Sequence, residues 1–149
     1  MRLLAIAAVA VLAGCGPAPG PPDTSGAGAA SEETDRRNAE ELAALNRQAE
    51  SLVHSGKSDA AAALITQGES LSNRLLAASR PTLEAVEAIS DHDDLYGRML
   101  LANANYGWAR LMFQKNLVRW KVWKPQTAET ERRLRRAQAA IAECDRHIE

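Results

Sequence analysis

The chain has 149 residues, 46% of them hydrophobic and 25% charged, a size and composition that fit one domain around one modest core and exclude a string of domains. Its formal net charge of −1 averages over strong segregation: residues 31–94 hold 13 acids against 6 bases, whereas residues 95–128 hold 6 bases and no acid. The simplest arrangement has these segments facing each other inside one fold, and the alternative reserves the basic segment for an outside anion.

At the N-terminus, Arg2 precedes LLAIAAVAVLAG, an apolar run that ends in Leu12, Ala13, Gly14 and Cys15. A run of about a dozen residues is too short to cross a hydrocarbon core of roughly 30 Å as a helix, but it suits the h-region of a signal peptide. With its charged start and short apolar core, LAGC resembles the lipobox of bacterial lipoproteins. The resemblance implies that residues 1–14 are a cleaved signal peptide and that Cys15 carries a diacylglyceryl thioether on an acylated new N-terminus. Two or three acyl chains anchor a protein stably without a spanning helix. Gly16 stands where the family's inner-membrane retention signal is an aspartate, so the resemblance also implies the periplasmic face of the outer membrane.

Residues 16–30, GPAPGPPDTSGAGAA, are rich in proline and glycine and almost devoid of large apolar side chains. With Cys15 they read as a flexible linker, reaching roughly 20 Å as a coil and about 45 Å if polyproline-like.

From Ser31 to the end, residues 31–149, the periodicity predicts an all-α domain, a helical bundle of four to five helices. Leu42, Leu45, Ala49 and Leu52 recur at intervals of three and four, with Ser31 as N-cap and Gly56 as C-terminal stop. Ser58 then caps a second helix carrying Ala61, Leu64, Gly68, Leu71 and Leu75 until Ser79-Arg80-Pro81 breaks it, and the short link makes the pair an antiparallel hairpin. Over residues 42–75 this hairpin is similar to one tetratricopeptide unit, through Leu45, Ala49, Leu52, Gly56, Ala61 and Ile65. The resemblance would imply a groove for extended peptide, but a step of 34 residues forward does not repeat the pattern.

Leu83, Val86 and Ile89 predict a short third helix over 82–90, and the acids of Ser90-Asp91-His92-Asp93-Asp94 suit the start of the next one, although one continuous helix over 82–124 fits as well. Projected at about 100° per residue, residues 94–124 place Leu95, Met99, Ala102, Tyr106, Ala109, Phe113, Leu117 and Trp120 on one line. Leu100, Ala104, Leu111, Val118 and Val122 fall on nearly the opposite side, so this helix is expected to be central, with neighbours on both faces. Thr127 caps a last helix whose Leu134, Ala137, Ile141, Cys144 and Ile148 form a regular apolar line. Cys144 on that line reads as a small buried hydrophobe, with an intermolecular disulfide as the alternative.

Candidate functional residues are few. Trp108, Lys115, Arg119 and Trp123 share one flank of the 94–124 helix and mix aromatic area with charge, the composition of an interaction surface. The competing reading has the lysine and arginine stems covering the indoles while their heads pair with acids of the first hairpin. The basic residues form no contiguous face, which argues against nucleic acid as a partner. His54, His92 and His147 lie on different segments, and the acids at 91–94 lack the spacing of a calcium loop, so no metal ligand set and no cofactor is assigned. No catalytic constellation is legible. The expectation is therefore a membrane-anchored, non-enzymatic binding or assembly module acting on an envelope protein. The alternatives are a tetratricopeptide-like adaptor and a small hydrolytic or metal-dependent enzyme.

Overall fold

The computed structural model describes residues 25–148, and the expected signal peptide, Cys15 and residues 16–24 of the expected linker lie outside them. The described chain is all-α, five helices in a bundle: α1 Ser25–His54, α2 Ser58–Leu76, α3 Leu83–Ala102, α4 Tyr106–Val122 and α5 Ala128–Ile148. None of them is long and apolar enough to cross a membrane.

α1 begins at Ser25, so residues 25–30, assigned by composition to the linker, are helical instead. Three of those six residues are alanine, the best helix former, and adding a turn to an existing helix avoids the cost of nucleation. Ser31 is accordingly inside α1 rather than its cap. Ala39, Leu42, Asn46 and Ala49 are buried at intervals of three and four. The helix ends where Gly56, at φ 72°, lets Lys57 N–H reach Leu52 O at 2.9 Å and Gly56 N–H reach Val53 O at 3.0 Å, satisfying the last carbonyls. Ser58 is the first residue of α2, and no side-chain hydrogen bond caps that helix.

The 94–124 segment differs from expectation. It is neither one helix nor joined to 82–93 by a break: α3 runs through the acidic cluster, and the interruption falls at Asn103-Ala104-Asn105. Ala104 takes a left-handed φ of 56°, with Asn105 N–H bonded to Leu100 O at 2.9 Å and Ala104 N–H to Leu101 O at 3.0 Å. This is the same terminal motif as at Gly56, built on a residue whose Cβ opposes it. Thr82 starts α3, its Oγ1 accepting from Ala85 N–H at 3.2 Å, and Thr127 caps α5 as expected, accepting from Thr130 N–H at 3.2 Å.

Long-range bonds set the helix directions. Asn46 bonds at Ala88 and Arg98 at Glu50, so α1 and α3 run parallel, while Ser90 meets Trp120 and Arg110 meets Asp145, so α4 opposes α3 and α5 opposes α4. α3 is the central helix, packed against α1 and α2 on one side and α4 on the other. Its close approach to α4 needs Gly97, where a Cβ would lie 2.7 Å from Phe113 Cε1. One core cluster joins Leu42, Leu71, Leu75 and Ile89, and another joins Ala109, Phe113 and Cys144. The acid and base segments meet in part: Asp93 holds Arg119 and Arg98 bridges Glu50 and Asp94, but Asp91 pairs with Arg133, and Asp94 also with Arg136, of α5.

Candidate functional site

α2 and α4 both pack on α3 but not on each other. The gap is an open cleft of about 810 Å³ with α3 as its floor. Ile65, Glu69, Ser72 and Leu76 of α2 face Leu111, Met112, Lys115 and Val118 of α4 across Tyr96 and Met99 of α3. Apolar side chains that would ordinarily be covered stay open here, Leu76 at 58% and Val118 at 60% exposure. This is the second apolar face of the 94–124 segment. Of that face Leu111, Val118 and Val122 stay exposed, while Leu100 packs in the core with Ala109 and Phe113 of the opposite one.

Polar groups gather at the base of the cleft. Asn46 Nδ2 donates to Ala88 O at 2.8 Å, which turns its Oδ1 toward His92 Nδ1 at 3.2 Å. Nδ1 therefore carries the imidazole proton, and Nε2 is left as the acceptor. Burial holds His92 below the ordinary histidine value, against the opposing pull of Asp93 and Glu69, so the ring is neutral. Arg119 donates to Asp93 Oδ2 at 2.9 Å and to Asn116 Oδ1, and Asn116 Nδ2 donates to Ser90 O at 2.9 Å. Trp120 Nε1 donates to Ser90 Oγ at 2.7 Å, and Arg133 lies 5.3 Å over its ring. Among the described residues every buried side-chain nitrogen and oxygen has a partner.

The four candidate surface residues are not one patch. Lys115 and Arg119 line the cleft, whereas Trp108 is exposed at the first turn of α4 and Trp123 is half-buried just past its last. The two indoles are about 22 Å apart along the helix axis. Arg119 is held by an acid, as the competing reading had it, though by one on α3 rather than in the first hairpin. Lys115 has no carboxylate partner among the described residues and rests near Met112 Sδ at 3.8 Å. His54 and His147 stay apart from His92, His147 stacking on Tyr106 with ring centroids 4.4 Å apart. Among the described residues no three histidine, cysteine, aspartate or glutamate side chains come together as a metal set. Cys144 is buried among Ala109 and Phe113, and burial pushes its thiol up.

Asn46 and Asn116 were missed in the sequence, and Ser90, His92 and Asp93, read there as an exposed helix start, are buried instead. A signal was present. Asn46 falls in register with Leu42 and Ala49, and Asn116 with Phe113 and Trp120, so polar residues stood at core phases where only a partner makes burial tolerable.

Comparison with protein-family models, with curated proteins and with solved structures matches none of them to this chain. Its function is therefore read from the chemistry of the cleft.

Proposed function

We propose that this chain is a lipid-anchored bacterial envelope protein, held at Cys15 and facing the periplasm from the outer membrane, whose helical domain binds a partner protein without catalysis. The occupant of the cleft is an amphipathic helix of an envelope protein. The observation that carries this reading is the gap between α2 and α4, where Ile65, Tyr96, Met99, Leu111 and Met112 line a groove shaped for helix-in-groove recognition. Glu69 on one wall and Lys115 on the other favour a guest with a basic and an acidic edge. No residue of α1 lines this groove, which favours a helix-face binder over an adaptor using the first hairpin.

Titratable groups do converge here, as a hydrolase or metal-dependent enzyme would require. The hydrogen bonds of His92 and Asp93 go to Asn46 and Arg119, and neither goes to Ser72 beside them. That commitment favours support of the cleft over chemistry in it.

In-cell photocrosslinking from Tyr96 and Leu111, with Arg135 on α5 as control, tests the binding reading. A discrete protein adduct from the two cleft positions, lost on Met112→Glu and absent from position 135, is expected. Adducts equal at all three positions, or only to lipid, would sink it. Fatty-acid labelling that disappears on Cys15→Ala checks the anchor separately.

A further inference from the structure

One corner of the bundle joins exposed apolar and unpaired basic side chains. Since α2 and α4 run against α1 and α3, the last turns of α2 and α4 and the connections 77–82 and 123–127 lie at the end of the bundle from which α1 leads back toward Cys15. Leu76 and Val118 line this end of the cleft at 58% and 60% exposure, and Val122, one turn beyond Val118, is at 69%. Arg74 and Lys121 in the last turns of α2 and α4, and Arg80 and Lys124 in the two connections, lie at the same end of the bundle, all exposed. None takes part in the ion pairs of the described residues. The contrast within 95–128 is sharp: Arg98, Arg110 and Arg119 are matched by acids, and the three lysines are not. Neither connection contains an acid, and the nearest ones in sequence are Glu84 in the first turn of α3 and Glu129 in the first turn of α5, the latter paired with Arg132 and Arg133.

We infer that this corner docks on the anionic surface of the bilayer to which the chain is tethered. Leu76, Val118 and Val122 enter the headgroup region, and Arg74, Arg80, Lys121 and Lys124 meet lipid phosphates. Apolar side chains with long cations at the same end suit that boundary, because the stems stay with the apolar surface while the charges remain at the phosphates. α1 sets the attitude. Its first buried residue is Ala39, so the stretch from Ser25 runs about 20 Å past the corner, and the domain must lean with its α2–α4 side toward the bilayer. Docking leaves the far half of the cleft, at Ile65, Met99 and Leu111, open beside the membrane. The choice of bilayer as occupant rests on the anchor proposed at Cys15.

The test uses the full chain with Cys15→Ser and Val122→Cys carrying an environment-sensitive fluorophore, Cys144 being buried. Phosphatidylcholine vesicles with a minor fraction of phosphatidylglycerol are expected to shift the emission to the blue, and pure phosphatidylcholine to do so far more weakly. Reversing Arg74, Arg80, Lys121 and Lys124 to glutamate weakens vesicle affinity by at least roughly a hundredfold, and a probe at Arg135→Cys reports no shift. An equal response on neutral vesicles, a response that survives charge reversal, or no response on either vesicle overturns the proposal. Absence of fatty-acid label on Cys15 in cells would remove the anchor without touching this result, so the two failures are distinguishable.

Discussion

Replacing Arg119 by methionine separates a structural from a binding role. The Arg119 and Asp93 side chains are 14% and 10% exposed, and the same guanidinium also supplies a donor to Asn116. Its removal leaves a nearly buried carboxylate and an amide oxygen short of partners, a defect worth about 3–5 kcal/mol. The cleft admits some solvent to Asp93, which points to the lower end, about 3 kcal/mol, or a fall in Tm of roughly 10 °C for a domain of this size. Converting Asp93 to leucine in the same chain removes the stranded charge and is expected to restore at least half of the loss. Lys115→Met, which breaks no ion pair, stays within about 0.5 kcal/mol. Urea unfolding followed by circular dichroism measures all three. A loss below about 1 kcal/mol for Arg119→Met, or a double variant no better than the single one, would refute the assignment of Arg119 to the frame of the cleft.

Three further outcomes follow from the same geometry. His92 is held below 6.5 by burial, so between its folded value and 6.5 the unfolded chain binds more protons, and stability present above 6.5 is lost as pH falls through that window; urea midpoints at pH 7.5 and 5.5 should show it, and His92→Gln should flatten it. Gly97→Ala drives a Cβ against the fully buried Phe113 ring and is expected to cost about 1–3 kcal/mol despite alanine's better helix propensity, so a higher Tm would contradict the close packing of α3 on α4. Ala104→Gly should stabilise by about 0.5–1 kcal/mol, since relief at a left-handed φ exceeds the added freedom of the unfolded chain, and an unchanged or lower urea midpoint would show that the turn carries no such strain.

The regular apolar lines of the first two helices and the last one were legible because each has a single buried side. Gly56 and Thr127 marked their ends by residue type. The middle of the chain was not legible for two physical reasons. The stop at 103–105 uses alanine in a conformation that normally advertises itself with glycine, so the apolar spacing from Leu95 to Trp120 read straight through it. The acids at 91–94 looked like the exposed start of a helix because the arginines that neutralise two of them, Arg133 and Arg136, lie 42 residues away, a distance no local pattern reports.

The buried polar pairs explain why this arrangement of helices is held at one height. Asn46 with His92 and Ala88 ties α1 to α3, and Ser90 with Asn116 and Trp120, together with Asp93 and Arg119, ties α3 to α4. Apolar stripes alone would accept a slide of one helical turn, about 5.4 Å, with modest loss. Here such a slide would strand a histidine, two amides, an indole N–H and a carboxylate away from water, each at a cost of about 1–3 kcal/mol and more for the charge. The same bonds therefore fix α4, one wall of the cleft, on α3, while α2, the other wall, is held by its packing on α1 and α3. A preformed groove spends little of a guest's interaction on ordering the host, which is the property a tethered binding module needs most.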